Sequence, residues 1–227
     1  MLGIISSVAD VRTKPKFRSD RDSQLVYGEE VSIIEKLEEY SYVKCPDGLK
    51  GYIKNTQMGE QGRKKFKLKA RFSGTKFNLS FGSYLNEKDI EKFKIPRKLI
   101  SSIEESFEPA KLSHNFLGVP YLWGGTSDFG FDCSGFSQRL FRFSNVEIPR
   151  NSAWQREESK TVSDFSKAEE GDLIFFKGHV AIYLNNGKII HANGHYMSVV
   201  YTNLFDGSEY SNFLMKVFEK IGRFEKQ

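Results

Sequence analysis

Three side chains in this sequence have types and settings suited to covalent chemistry: Cys133 directly after Asp132, His179 at the head of an alternating run, and His191 beyond a short loop. Asp132 is a good helix N-cap, and Phe136, Leu140 and Phe143 recur at the spacing of one buried helical face, so a helix is predicted from Cys133 onward. A thiol at such an end meets backbone N–H groups and the positive end of the helix dipole. Both favour the thiolate, and such settings bring a pKa of about 8.5 down to roughly 3.5–7.5. The same N–H groups suit a developing oxyanion. Gly124, Gly125, Gly130 and Gly135 would let backbone and substrate approach the sulfur closely. Cys45, in a strand-like stretch, reads instead as a small buried hydrophobe.

His179 opens the strand pattern His179-Val180-Ala181-Ile182-Tyr183-Leu184, with histidine, alanine and tyrosine on one face and the aliphatic residues turned to the core. The loop Asn185-Asn186-Gly187 then decides whether His191 can meet His179. A turn made only of Asn186 and Gly187 would set His191 opposite Ile182, on the wrong face. A loop of all three residues, with Gly187 left-handed, sets His191 opposite Ala181 and diagonal to His179. In that register His179 takes the thiol proton and returns it to a leaving amine, while His191 holds the other ring nitrogen and fixes the tautomer. The result is a nucleophile, a base and an orienter in the chain order Cys, His, His. A Cys-His-His zinc site is the competing constellation, but no CxxC or HxxxH pair anchors it, so no metal or organic cofactor is expected. His114 and His195 read as structural or incidental.

The elements that must position these groups fall into three stretches. Residues 1–60 carry short β-rich runs, Val8 to Val11, Val31 to Ile34, Tyr40 to Cys45 and Gly51 to Ile53, with Asp47-Gly48 as a tight hairpin signal, and predict a small β-barrel. Residues 61–108 show further alternation in Phe66 to Phe72 and Phe77 to Phe81, predicting a second, diverged barrel; Asn86 to Phe93 suits a short helix and Ser101 to Phe116 a helical linker restarted at Pro109. Within residues 109–227 the helix beginning at Cys133 precedes strand-like runs at Leu173 to Phe176, Gly178 to Leu184, Lys188 to Ala192 and Met197 to Tyr201. This is an α+β arrangement of a helical half followed by an antiparallel sheet.

The 227 residues hold 39% hydrophobic and 14% aromatic side chains, ample for packed cores without covalent staples. The net charge of +5 is spread along the chain, and the run Arg63 to Lys69 reads as a solvated strand edge, so no nucleic-acid partner is expected. No apolar run approaches the roughly 18 residues of a membrane span, and Leu2-Gly3-Ile4-Ile5 is too short for a signal-peptide core of about 7–15 residues. With two cysteines in different regions, a reducing compartment is expected: a cytoplasmic monomer with no membrane partner.

The stretches Phe116 to Gly125 (FLGVPYLWGG), Asp132-Cys133-Ser134-Gly135-Phe136, Pro149-Arg150-Asn151-Ser152, Gly171 to Phe176 (GDLIFF) and His179 to Tyr183 (HVAIY) resemble, in order, the NlpC/P60 family of papain-like cysteine peptidases. The landmarks Ala9-Asp10-Val11-Arg12, Tyr27-Gly28-Glu29-Glu30-Val31, Asp47-Gly48 and Gly51-Tyr52-Ile53 resemble a bacterial SH3-type domain. The resemblance implies a papain-like catalytic domain behind two SH3-like barrels, similar to the γ-D-glutamyl-L-diamino acid endopeptidases. These cut murein peptides with a free N-terminal L-Ala between D-glutamate and lysine or meso-diaminopimelate during wall-peptide recycling. By motif position it implies substrate contacts from Tyr121, Trp123, Asp132, Ser134, Ser152 and, from the first barrel's turn, Glu29, with Glu30 its neighbour. The rivals are a secreted hydrolase of intact wall and a wall-fragment binding protein with an inert peptidase domain. Intact Asp132, Cys133 and His179 argue against the second.

Overall fold

A computed structural model describes residues 1–75 and 77–225 of the chain. They form two compact units, one of the described residues within 1–105 with 123–129 and one of those within 106–122 with 130–225.

The first unit is built on a five-stranded antiparallel sheet in the order Arg21–Val26, Val8–Arg12, Lys50–Lys54, Tyr40–Lys44, Ser32–Lys36. The four expected strands are present. Arg21–Val26 was not anticipated, because its first half, Arg21-Asp22-Ser23-Gln24, lacks the β-branched and aromatic residues that mark a strand. The Asp47-Gly48 turn forms as expected, with Gly48 at φ +84° and the Asp47 carboxylate accepting the Leu49 N–H at 3.0 Å. The sheet is SH3-like in pattern, but it is open rather than a closed barrel: among the described residues Arg21–Val26 and Ser32–Lys36 are its two edges. Ile4, Ala9, Val11, Leu25, Val31, Val43 and Ile53 fill its core, and Cys45 lies among them as a buried hydrophobe.

Residues 61–105 pack within the same unit. Phe66–Leu68 is the middle strand of three, between Tyr84–Leu85 and Ile100–Ser102, with a separate hairpin of Phe72–Ser73 and Asn78–Leu79, so this stretch too is not a closed barrel. The expected short helix is Glu87–Phe93, started by a capping box between Asn86 and Asp89. The basic run is not a solvated edge. Lys67 is 1% exposed in a central strand, and Lys64 is buried against Asp89 at 2.8 Å, where the Asp89 carboxylate also accepts the Tyr27 hydroxyl at 2.6 Å. Burial alone lowers the Lys67 ammonium to about 8 against the pull of Glu105. The anticipated helix over Ser101 to Phe116 is shorter: Ser101 lies in a strand, and helix begins at Pro109, in the first-turn position that proline tolerates.

The second unit has the expected order of helix then sheet. The helix Cys133–Phe143 is buried along its whole length, not on one face alone. It precedes a six-stranded antiparallel sheet, in the order Lys160–Val162, Phe218–Arg223, Leu173–Phe176, His179–Tyr183, Lys188–Asn193, Ser198–Asn203. Both faces of His179–Tyr183 are covered. Ala181 and Tyr183 join a core with Ile174, Phe176, Leu204 and Leu214, and Val180 and Ile182 are equally buried. The alternation therefore separates two cores rather than core from solvent. Among the described residues, no helix is long and apolar enough to cross a membrane.

Candidate active site

Asp132 caps the helix, its Oδ1 accepting the Gly135 N–H at 2.7 Å, which makes Cys133 the first helical residue. The sulfur receives backbone N–H groups from Ser134 and Val180. These do not produce the lowered thiol pKa that a helix start suggests. Burial, then the Asp132 carboxylate, push the Cys133 thiol up to about 11, against the two N–H groups and the Arg150 guanidinium. Cys133 remains 9% exposed and lines a groove of about 780 Å³ with Tyr121, Gly178 and His179.

The hairpin takes the register that brings the histidines together. Ile182 pairs with Ile190 and the Leu184 N–H donates to the Lys188 carbonyl at 2.8 Å, so the loop is Asn185-Asn186-Gly187 and His191 falls opposite Ala181. Gly187 is left-handed at φ +75° as expected, but Asn185 and Asn186 are left-handed too, at φ +76° and +52°. Asparagine tolerates that region better than most residues, which is why this loop closes. His179 Nε2 lies 2.6 Å from His191 Nδ1, with the rings 4.9 Å apart, and Phe176 stacks on His179. His191 is fully buried, its Nε2 3.0 Å from Thr202 Oγ1 and 3.2 Å from Asn193 Nδ2. Burial lowers the His179 imidazole to about 4, with Asp132 opposing, and burial together with His179 holds His191 well below the usual histidine range. Both rings are neutral near pH 7.

The expected binding residues distribute over both units. Tyr121 lines the groove, its phenol pushed up to about 12 by burial and by the nearby Cys133 and Asp132. Asp132 and Ser134 are buried and tied to Arg150, which reaches Asp132 Oδ1 at 3.0 Å, Oδ2 at 2.6 Å and Ser134 Oγ at 3.0 Å. Ser152 is half-buried as the first residue of the helix Ser152–Glu158, capped by Asn151. Trp123 and Glu29 belong to the first unit. Trp123 is 72% exposed and its carbonyl accepts from Arg21 at 3.1 Å. Glu29 is 2% exposed and its carboxylate accepts the Val26 N–H at 2.7 Å, turned into its own loop, while Glu30 is exposed. Among the described residues, no three histidine, cysteine, aspartate or glutamate side chains are grouped to hold a metal ion.

Several contributors escaped sequence reasoning. Arg150 lay inside a recognised motif, yet a buried arginine is not foreseeable without its partner. Thr202 and Asn193 reach His191 only through strand pairing. His195, read as incidental, lines the groove with Tyr196, Glu209, Tyr210 and Phe213. Its companions Glu209, Tyr210 and Phe213 come from the helix Glu209–Lys216.

With this geometry in view, comparison with known proteins gives a consistent result. Residues 118–218 match the NlpC/P60 family, and residues 11–58 match the bacterial dipeptidyl-peptidase SH3 domain. Two curated relatives named γ-D-glutamyl-L-lysine dipeptidyl-peptidase are 46% identical over 85 residues (Bacillus cereus) and 48% identical over 86 residues (Bacillus subtilis). Each match takes in 34% of this chain but only 25% and 28% of those relatives' own lengths. A crystal structure of an NlpC/P60 family protein from Bacillus cereus superposes with a TM-score of 0.78 at 20% identity, covering 98% of this chain and 99% of that one. That likeness shows a shared fold and nothing beyond it.

Proposed function

We propose that this chain, which carries an NlpC/P60 domain behind a bacterial SH3 domain, is a cysteine peptidase that hydrolyses the γ-D-glutamyl-L-diamino acid bond of murein peptides. The observation that carries this reading is Cys133 at a helix N-terminus in the same groove as His179, whose Nε2 is held by His191. With Nε2 engaged, Nδ1 of His179 receives the thiol proton. The sulfur attacks the amide carbon, the C–N bond breaks, and the imidazolium returns the proton to the departing amine. Water, deprotonated by the same ring, then hydrolyses the thioester and releases the thiol. First-turn N–H groups of the helix face the oxygen that gains charge in each tetrahedral state.

The free protein begins from neutral thiol and neutral imidazole rather than an ion pair, since burial raises one group and lowers the other. Substrate binding displaces water from the groove, and proton transfer accompanies attack. The names of the two Bacillus relatives support the choice of bond. Two cysteines held as thiols support a reducing compartment and hence a role in recycling peptides in the cytoplasm.

The test is hydrolysis of L-Ala-γ-D-Glu-L-Lys, beside intact sacculi, by wild type and by Cys133→Ala. Release of L-Lys from the soluble peptide by wild type alone supports the reading. Equal release by both proteins rejects Cys133, and release from sacculi alone rejects the recycling role.

A further inference from the structure

The groove that holds Cys133 and His179 extends along a wall with its own chemistry. That wall is made by Asn193 to Tyr196 and by the start of the helix Glu209–Lys216. Its rings form one shelf: His195 stacks on Tyr210 at 4.9 Å and 14°, Tyr196 meets Tyr210 edge-on at 5.4 Å, and Phe213 lies 6.3 Å beyond. The shelf is fixed before any ligand arrives. Asn193 Oδ1 accepts the His195 and Tyr196 N–H groups at 2.7 and 3.2 Å while its Nδ2 donates to the Tyr210 hydroxyl at 2.9 Å. Yet Tyr196 and Phe213 are 52% and 56% exposed, more than aromatic residues this well anchored would be if they served only the core.

Beside the shelf stands Glu209, exposed, its backbone set by the Ser208 cap. Among the described residues it is the one carboxylate lining the groove, and no lysine or arginine lines it. Aromatic faces attract methylene chains and cations, and a carboxylate at their edge selects a cation. The wall is therefore complementary to a flexible aliphatic stem ending in an ammonium group. It offers no lysine or arginine to a second carboxylate, and Glu209 repels one.

We propose that Glu209 and the shelf of Tyr196, Tyr210 and Phe213 bind the methylene stem and side-chain ammonium of a lysine residue in the substrate. The same wall disfavours meso-diaminopimelate, which carries a carboxylate beside that distal amine. This rests on the peptidase reading above and specifies its substrate: lysine-type peptides over diaminopimelate-type ones.

The experiment compares three peptides, L-Ala-γ-D-Glu followed by L-lysine, L-norleucine or meso-diaminopimelate, with wild type, Glu209→Gln and Glu209→Lys. For wild type, kcat/KM for lysine should exceed that for norleucine, which lacks only the amine, by about tenfold, the scale of a partly exposed ion pair with a cation–π contact. In Glu209→Gln that ratio should fall toward one, and in Glu209→Lys the order of lysine and diaminopimelate should invert. The ratio within one protein is the readout, so a general loss of activity does not move it. An unchanged lysine-to-norleucine ratio in Glu209→Gln overturns the proposal. Should wild type cleave none of the peptides, the peptidase reading falls. Calorimetric binding of the same peptides then decides the role of Glu209, which fails if lysine and norleucine peptides bind alike.

Discussion

His191 Nδ1 sits 2.6 Å from His179 Nε2, so in the proposed mechanism Nδ1 of His179 is the nitrogen left for the sulfur of Cys133. His191 is itself buried and bonded through Nε2 to Thr202 and Asn193, so the proposed mechanism gives the second ring the part of a support rather than of an acid or base. Replacing it should therefore reduce turnover more than substrate binding. His191→Ala is expected to lower kcat by roughly 10²–10⁴-fold with little change in KM. His191→Asn, which offers a polar partner at the same place, should recover part of the loss. Steady-state kinetics on the lysine tripeptide, with melting temperatures to confirm folding, check this.

The acid–base state of the free site gives a second prediction. With the Cys133 thiol pushed up to about 11 and the His179 imidazole down to about 4, no thiolate–imidazolium pair exists near neutrality. Alkylation of Cys133 by iodoacetamide should rise by about tenfold per pH unit through the neutral and alkaline range, because only thiolate reacts. A plateau between pH 5 and 8, of the kind an ion pair produces, would contradict it.

The same shifts bear on stability. A thiol raised from 9.0 to about 11 contributes stability that is complete below pH 9 and lost as pH climbs toward 11. An imidazole lowered from 6.5 to about 4 contributes stability that is present above pH 6.5 and lost as pH falls toward 4. Melting temperature should thus be highest between these limits, and His179→Ala should flatten the acid side. An acid limb unaltered in that variant would assign it to other groups.

Gly187 connects loop geometry to the proposed catalytic histidines. It stands at φ +75°, and a Cβ there would lie 2.4 Å from Phe205 Cδ2. Gly187→Ala should lose the roughly 1–3 kcal/mol of a left-handed non-glycine residue plus the cost of moving Phe205, and should impair activity by disturbing the hairpin that seats His191. Gly48→Ala, at φ +84° with nothing within 4 Å of its Cβ, should lose the conformational part alone and leave kcat intact. Urea denaturation and kinetics on both variants separate the two effects.

Arg150 is bonded to the helix start through Asp132 and Ser134. Its guanidinium grips both oxygens of Asp132, a buried carboxylate that also caps the helix. Arg150→Met should destabilise the protein by about 3–5 kcal/mol, since it strips a buried charge of its main counterion. Arg150→Lys, charged but without the planar fork, should fall between the two in urea denaturation.

What the sequence made legible follows from the range of each interaction. The helix at Cys133 and the loop before His191 are written in neighbouring residues: an N-cap, a spacing of apolar side chains, a glycine suited to positive φ. The pairing of His179 with His191 follows from strand alternation once the loop length is chosen. Burial is not written locally. The helix is covered on all sides, Lys64 and Lys67 lie inside rather than on an edge, and the thiol is raised instead of lowered, because each depends on what the rest of the chain lays against it. Arg150, Thr202 and Asn193 were missed for the same reason: their partners are set by tertiary packing.

The most direct measurement is the mass of the protein during incubation with the proposed substrate. Acid-quenching wild type with excess L-Ala-γ-D-Glu-L-Lys and digesting it should reveal an L-Ala-D-Glu acyl group on the peptide that contains Cys133, accumulating further in His191→Ala if thioester hydrolysis slows. Steady release of lysine with the acyl group on another residue, or undiminished release by Cys133→Ala, would contradict the account.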